Sequence, residues 1–265
     1  MVRKGDTLIE VTLAIGIFSL VAIAVVSVVN GSTSGAQSSL ETTLAREEID
    51  NQAEALRFIQ ASYINSNTAD KTATQNNASD FKYKELWQAI GARAIEPNNM
   101  EYRPSTCQEL YDIESPTAQN QLMKEKSFVI NIRKLGIEAA GSNWTNEVVV
   151  PASTSTFTTA STYPRVIYGT TAENGSLVDD GSETSIYRVE GLYVTAVKGP
   201  NTVVVSETGS VNNKVATAYY DFYIRSCWYA PGANTPSTIS TVMRLYNPDV
   251  VKVASPNESP NESPI

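Results

Sequence analysis

The most regular pattern in the chain is an apolar run near its N-terminus. Val11–Val29 carries no charge, and its few small or polar positions are Thr12, Gly16, Ser19 and Ser27. A helix from Leu8 to Val29 would be about 33 Å long at ~1.5 Å per residue, and the apolar core of a bilayer is about 30 Å thick. The run therefore predicts a membrane-spanning helix.

A second helical pattern extends from Gln37 to about Asn65. Its apolar residues recur every three to five positions, at Leu40, Leu44, Ile49, Ala53, Leu56, Ile59 and Tyr63. The intervening Asn30–Gly35 is a poor helix interior because it contains two glycines, so we expect a kink or a local melt there. The stripe fits either a dimerising coiled coil or a helix packed on the chain's own sheet, and its irregular spacing favours the second interpretation.

The remainder of the chain changes from helical to strand periodicity. After a polar loop at Ser66–Asp80, Phe81–Ala94 has the spacing of a short helix, and beyond it the apolar period becomes two. We expect strands at Phe128–Arg133, Glu147–Val150, Arg165–Tyr168, Ile186–Lys198 with a bulge at Gly191, Thr202–Ser206, Ala218–Tyr229 and Ile239–Tyr246. Short turns between the last strands imply an antiparallel meander with one face covered. The pattern predicts an α+β fold in which the long N-terminal helix packs across an antiparallel sheet.

The charges around the apolar run predict its orientation in a membrane. Arg3 and Lys4 precede the run, and the next cation is Arg46. This asymmetry keeps the N-terminus in the cytoplasm and places the rest of the chain outside. The run is longer than the apolar part of a secretory signal, which has about 7–15 residues. We therefore expect a single-pass protein of the cytoplasmic membrane.

The residues at the start of the run resemble a known family. Lys4-Gly5 is followed by Thr7-Leu8-Ile9-Glu10 and then by an uncharged helix, an order similar to the class III leader of type IV pilins and pseudopilins. The resemblance implies that a prepilin peptidase cuts after Gly5, so that Asp6 becomes the first residue. Asp6 stands where the family usually has Phe or Met, and methylation of the new terminus is left open.

Glu10 is a carboxylate at the N-terminal end of the apolar run, and its role can be interpreted in two ways. In the first, Thr7 is the N-cap of the helix and Glu10 completes a capping box, which the helix dipole also favours. In the second, Glu10 pairs with the α-ammonium that cleavage creates on Asp6 of a neighbouring subunit. The second removes the penalty of an unpaired charge and agrees with the resemblance, so we predict that Asp6 and Glu10 set the subunit register. The carboxylate of Asp6 competes for the same ammonium.

These elements predict five segments along the chain. They are a leader at 1–5, a transmembrane or filament-core helix at 6–30, the amphipathic half of the helix at 31–65, an extracytoplasmic α+β domain at 66–253 and a tail at 254–265. The tail repeats Ser-Pro-Asn-Glu without an apolar face, so we expect it to be disordered.

Composition argues against most catalytic functions. The chain contains no histidine, and it has neither a His/Cys cluster nor a Gly-rich phosphate loop after a strand. We therefore expect no enzymatic activity and no cofactor. The net charge of −8 repels nucleic acid, and the basic residues occur as pairs rather than as a patch, so we expect no direct nucleic-acid binding.

Cys107 and Cys227 are the only cysteines. The predicted topology places both outside the cytoplasm, where a disulfide is the natural state. The chain-entropy model assigns about 4.7 kcal/mol to a bridge that closes a loop of this length. The alternative is two buried free thiols.

Two weaker patterns have ordinary alternatives. Asp179–Glu183 offers carboxylates that fit Ca²⁺, but a plain acidic turn explains it as well. Tyr219, Tyr223 and Tyr229 fit a ligand-stacking stripe, but such tyrosines more often cover a sheet face or a neighbouring subunit.

Two functions follow as hypotheses. In the first, the chain is a structural subunit of a type IV pilus or related filament; the resemblance implies as partners other copies, other pilins, a prepilin peptidase and a membrane assembly platform with its cytoplasmic ATPase. Membrane lipid surrounds the helix before assembly, and the filament is extracellular. In the second, the chain is a surface-anchored adhesin or binding module that does not polymerise.

Overall fold

The computed structural model describes most of the chain in nine stretches. They are residues 6–68, 78–96, 125–136, 144–153, 157–171, 177–178, 185–203, 215–230 and 233–250. The chain divides into two compact units, Met1–Leu44 and Ala45–Ile265. A long, apolar N-terminal helix and a five-stranded antiparallel sheet give the α+β layout that the sequence predicts.

The helices in the described part of the chain are α1 (Asp6–Thr68), α2 (Ala78–Arg93), α3 (Ile132–Leu135) and α4 (Trp144–Val148). Helix α1 is assigned without a break through Asn30–Gly35, so the expected local melt is wrong. Within this segment Thr33 donates its hydroxyl to the carbonyl of Val29 at 2.9 Å, so the hydroxyl is satisfied inside the helix. Helix α2 confirms the short helix expected at Phe81–Ala94 and begins three residues earlier.

Twelve strands lie in the described part of the chain, most of them with five residues or fewer. They are β1 (Phe128–Ile130), β2 (Val149–Pro151), β3 (Phe157–Thr158), β4 (Arg165–Tyr168), β5 (Thr170–Thr171), β6 (Leu177–Val178), β7 (Ile186–Glu190), β8 (Leu192–Lys198), β9 (Asn201–Val203), β10 (Val215–Thr217), β11 (Tyr219–Trp228) and β12 (Ser237–Tyr246). The main sheet has the order β12-β11-β8-β1-β2, with every pair antiparallel. Smaller sheets are β3-β7-β4, β9-β10 and β5-β6.

Two expected strands are partly helical. The strand predicted at Phe128–Arg133 ends at Ile130, because Asn131 caps helix α3 by accepting a hydrogen bond from the N–H of Lys134 at 3.2 Å. The strand predicted at Glu147–Val150 begins only at Val149, because the preceding residues form α4. The buried Trp144 anchors α4 to α3 through its indole N–H, which donates to the carbonyl of Lys134 at 3.2 Å.

The segment Ile186–Lys198 is two strands in two sheets rather than one bulged strand. Gly191 separates β7 from β8 with a φ of +63°, a left-handed conformation that glycine adopts without steric penalty. Its N–H donates to the carbonyl of Thr158 at 3.0 Å, and its own carbonyl accepts from the N–H of Cys227 at 2.7 Å. Gly191 therefore joins the three-stranded sheet to the main sheet.

The final strands agree with the predicted alternation. In β11, Tyr220, Phe222 and Ile224 are buried, and their neighbours toward the N-terminus are half-buried. Strand β12 pairs with β11 over its whole length. The expected return strand at Thr202–Ser206 does not join this meander, because the described strand at that position, β9, pairs with β10.

The core lies between the second part of α1 and the main sheet. The buried α1 side chains Ile49, Ala53, Leu56, Ile59 and Tyr63 share one apolar cluster with Trp87, Phe128 and Phe222. This confirms the packing expected of the amphipathic stripe from Ile49 onward. Leu40 does not follow it, since 59% of its surface is exposed.

Gln52 fixes α1 to the sheet by hydrogen bonds rather than by apolar contact. Its side-chain NH₂ donates to the carbonyl of Ile130 at 3.0 Å, and its side-chain oxygen accepts from the N–H of Ile130 at 2.7 Å. Gln52 is completely buried. The amide thus replaces a neighbouring strand for the last residue of β1.

Cys227 is completely buried near the end of β11. Its predicted partner, Cys107, lies outside the described residues. The bridge between them therefore stays a prediction.

Candidate functional site on the N-terminal helix

The first part of α1 presents apolar side chains on every side. Each exposes 55–73% of its surface: Leu8, Ile9, Val11, Leu13, Ile15, Ile17, Phe18, Leu20, Val21, Ile23, Val25, Val26, Val28 and Val29. Contiguous apolar surface of this extent marks a membrane or protein contact. By length and composition, α1 is the one helix in the described part of the chain that is apolar enough to cross a membrane, with a mean hydropathy of 2.6 in its most apolar window.

The hydroxyl groups in this segment do not interrupt the apolar surface. Thr12 donates to the carbonyl of Ile9 at 2.9 Å, and Ser19 donates to the carbonyl of Ile15 at 2.8 Å. Polar groups satisfied inside the helix need no partner from lipid or from another chain. These two hydroxyl groups are therefore compatible with an apolar environment.

Gly16 leaves a gap on this surface. A Cβ built on Gly16 meets no atom within 4 Å, because no side chain of the described residues covers it. Small residues of this kind allow two helices in an apolar medium to approach closely. Gly16 lies between Thr12 and Ser19 on one side of the helix, which is where a second helix can pack tightly.

Glu10 is exposed at the start of the helix and makes no hydrogen bond or ion pair with any described residue. Asp6 is already helical, so Thr7 lies inside the helix and is not its N-cap. The capping-box interpretation of Glu10 is therefore wrong. Asp6 and Glu10 are four residues apart and share one face of the helix. The side chain of Asp6 and the whole of Gly5 lie outside the described residues.

A second group of charged residues lies where α1 meets strand β4. Burial and, to a smaller extent, the charge of Glu47 together raise the pKa of Glu48 to about 7, and a backbone hydrogen bond from Val166 limits the shift. Burial and the charge of Glu48 raise the pKa of Tyr168 to about 12. Arg133 stacks on the Tyr168 ring at 4.1 Å. Perturbed carboxylates mark functional sites, but this one closes a helix–strand contact and has no nucleophile beside it.

We expect the pH dependence of stability to report on Glu48. Because its pKa is raised from 4.5 to about 7, the folded state holds this proton more tightly than the unfolded state does. Stability is full below pH 4.5 and falls as the pH rises to about 7, by about 1–3 kcal/mol after allowance for partial exposure. Urea unfolding at several pH values should show this fall in the wild-type chain. The Glu48→Gln variant should lose it, and Glu85→Gln, which changes an exposed acid on α2, should keep it.

A cavity of about 430 Å³ lies at the end of α2 and is lined by Ala89, Ala92, Arg93, Glu125, Lys126, Asn146 and Val149. Its two cations bind backbone carbonyls: Arg93 donates to Glu125 and Lys126 to Ala92, each at 3.1 Å. Burial lowers the pKa of Arg93. Lys126 therefore satisfies a carbonyl in the last turn of α2, and Arg93 joins the end of α2 to the segment before β1.

The structure describes some, but not all, of the other residues that the sequence suggested as candidate sites. Tyr219 and Tyr223 lie on the outer side of β11, and Tyr219 packs against the Tyr246 ring at 6.1 Å and beneath Arg244 at 3.8 Å. Asp179–Glu183 lies outside the described residues. Within the described part of the chain no group of three or more acidic, His or Cys side chains could hold a metal ion.

In the comparisons with known proteins, no family model, no curated protein and no solved structure matched this chain.

Proposed function

We propose that this chain is a structural subunit of a type IV pilus or a related filament. The observation that carries the proposal is an exposed apolar helix with a carboxylate near its start, Glu10, that makes no hydrogen bond or ion pair with any described residue. An α+β domain follows this helix in the same chain, as a pilin-like architecture requires. Cleavage after Gly5 then releases the leader and frees the amine of Asp6.

The same helix serves two environments in turn. Before assembly it crosses the cytoplasmic membrane with its N-terminus inside, and lipid covers its apolar surface. During assembly the helix leaves the lipid and packs against the helices of other copies, close to Gly16. The β domains then form the outside of an extracellular filament.

Glu10 sets the register between neighbouring helices. An ionised carboxylate inside an apolar bundle is destabilising unless it has a counter-charge. The amine of Asp6 on the next subunit supplies one, and pairing is possible at only one axial offset of the two helices. Removing one partner of a buried ion pair destabilises a protein by about 3–5 kcal/mol.

The other parts of the proposal concern partners and the domain. The chain assembles with copies of itself and with other pilins, and it depends on a prepilin peptidase and on an assembly platform driven by a cytoplasmic ATPase. It has no catalytic role and does not bind nucleic acid directly. A bridge between Cys107 and Cys227 stabilises the domain; it is supported because Cys227 is not a free thiol and Cys107 is the chain's other cysteine.

A surface-anchored binding module is the second candidate function. The observation that favours it is the outer side of β12, where Val242 and Tyr246 expose 56% and 58% of their surfaces beside Arg244. Aromatic and arginine side chains are common at contact surfaces. A module of this kind keeps the membrane helix but does not polymerise.

The Glu10→Ala variant tests the filament proposal. We expect its filament yield to fall more than tenfold, because the amine of Asp6 loses its counter-charge within the apolar bundle. Membrane insertion should be unchanged, since the substitution makes the helix more apolar. The measurement is sheared filament against membrane-bound subunit in cells that express the peptidase and the assembly machinery. Glu85→Ala, an exposed acid on α2, is the matched control, and a normal filament yield from Glu10→Ala would exclude the register role.

A further inference from the structure

Two arginines share one carboxylate on the small sheet β3-β7-β4. Nε of Arg165 lies 2.8 Å from the carboxylate of Glu190, and Nη1 of Arg188 lies 3.6 Å from its other oxygen. The Glu190 side chain is only 8% exposed, whereas the two arginines are 40% and 44% exposed. The group therefore has a buried acid below and a positive charge at the surface.

The strand register places these side chains on one face of the sheet. Arg165 of β4 lies opposite Glu190 of β7, and Ile167 lies opposite Arg188, so all four share a face. The arginines are diagonal neighbours, which are about 7–8 Å apart in an antiparallel pair. The ring of Tyr163 lies 5.3 Å from the Arg165 guanidinium, and that of Tyr187 lies 5.5 Å from the Arg188 guanidinium. This outer face of β4 and β7, which we call the arginine face, is held in place before any partner binds.

The arginines keep hydrogen-bond donors for a partner. A guanidinium has five N–H donors, and Glu190 accepts from only one atom of each arginine at the distances above. The 3.6 Å separation leaves Arg188 weakly engaged. The hydrogen bond to Glu190 raises the pKa of Arg165, so this arginine stays charged at any physiological pH.

Carboxylates of matching number lie on the exposed side of α1. Glu47 and Asp50 are exposed and make no ion pair with any described residue. They are three residues apart on a helix, which brings their Cβ atoms to about 5–6 Å. Glu54, the next acidic residue on α1, differs from these two because it is paired with Arg57 on the same helix. Among the described residues, these two carboxylates therefore have no ion-pair partner.

We propose that, in the filament, the arginine face of one copy binds Glu47 and Asp50 on α1 of a neighbouring copy. This inference rests on the proposed function, because it needs the helices of many copies to be brought together. A helical filament requires two different, complementary surfaces on each subunit, and these surfaces are different and of opposite charge. Two guanidinium groups face two carboxylates with spacings that flexible side chains can match.

Charge complementarity favours a second copy as the occupant. The chain carries a net charge of −8, so a surface with an excess of positive charge is attracted to acidic surfaces of another copy. Exposed charges more than about 8 Å apart are largely screened at physiological ionic strength, and exposed ion pairs in contact contribute little free energy. The contact therefore orients the domains, while the apolar helices supply most of the association free energy.

Disulfide cross-linking between copies tests the contact in assembled filaments. Asp50→Cys or Glu47→Cys is combined with Arg188→Cys in one chain. Under mild oxidation we expect a ladder of cross-linked species beyond the dimer, because each copy then offers one thiol to the copy on either side. A single thiol can join only two copies, so each single variant should stop at the dimer. The matched control pairs Asp50→Cys with Arg244→Cys, an exposed arginine of the main sheet, and should also give no ladder.

Charge exchange gives a second, independent readout. We expect Asp50→Arg alone and Arg188→Asp alone each to reduce filament yield about tenfold, and the two changes together to restore it to within about threefold of wild type. Equal thermal midpoints of the three purified variants show that the effect is on assembly and not on folding.

The outcomes separate this contact from the proposed function. If the wild-type chain forms filaments but neither cysteine pair gives a ladder, the contact alone is overturned. The same holds if the combined charge variant gives no higher filament yield than the single variants. If the wild-type chain forms no filaments with the peptidase and assembly machinery present, the proposed function fails, and the contact fails with it.

Discussion

The Gly191→Ala variant is expected to lose about 4 kcal/mol or more of its stability, a large part of the roughly 5–15 kcal/mol that stabilises a folded protein. At a φ of +63°, a Cβ on residue 191 would lie 1.9 Å from the carbonyl oxygen of Cys227 and 2.6 Å from Cβ of Ala160. The first of these atoms belongs to the backbone of β11 and cannot move without breaking the main sheet. The left-handed conformation adds about 1–2 kcal/mol for a residue that has a Cβ.

Urea unfolding of the purified protein, followed by circular dichroism, measures this effect. The matched control is Gly136→Ala, which follows α3: a Cβ there meets nothing within 4 Å, and its φ of −85° suits any residue. We expect the control to change stability by less than about 0.5 kcal/mol. A Gly191→Ala variant as stable as wild type would mean that β7 and β8 are not joined as described.

Replacing Gln52 with leucine has the second largest expected effect on stability. Leucine has a similar volume, but it leaves both the N–H and the C=O of Ile130 buried and without a partner. Each unsatisfied group costs about 1–3 kcal/mol, so the loss should be about 2–6 kcal/mol. Hydrogen exchange should report the same change locally, as faster exchange of the Ile130 amide.

The control for this variant is Gln88→Leu, an exposed glutamine on α2. It makes the same chemical change without removing a buried hydrogen bond, so its unfolding free energy should stay within about 0.5 kcal/mol of wild type. If Gln52→Leu also stayed within that range, α1 would be held to the sheet by apolar contact alone.

These two residues show where sequence patterns stop predicting the structure. Alternation predicted β11 and β12, because burial alternates along β11 from Tyr219 to Arg225 and exposure alternates along the whole of β12. The same alternation around Gly191 could not reveal that the chain passes from one sheet to another, since the left-handed turn changes partners without changing the period. The strand β1 pairs with β8, and this contact depends on residues far apart in the chain.

Contacts of individual side chains explain the differences from prediction that concern only a few residues. Asn131 was part of an apparent strand, but its side chain caps α3 and ends the strand at Ile130. The arginine face could not be predicted, because Arg165, Arg188 and Glu190 come together only when β4 and β7 pair. The raised pKa of Glu48 could not be predicted either, because it follows from burial of this side chain where α1 contacts β4.

The candidate site was the easier part to predict. The apolar run, its lack of charge and the position of Glu10 are all read from consecutive residues, and the structure keeps them together on one continuous helix. The partner that we propose for Glu10 is an amine that cleavage would create on another copy, so it lies outside the structure of a single uncleaved chain.

The identity of the first residue of the mature chain tests the central claim most directly. The full-length chain is expressed with a prepilin peptidase, recovered from membranes, and its N-terminus is sequenced. The account predicts that Asp6 is the first residue, with a free or methylated amine. An intact Met1, or a new terminus near Gly35, would contradict it and would favour a surface-anchored module that never enters a filament.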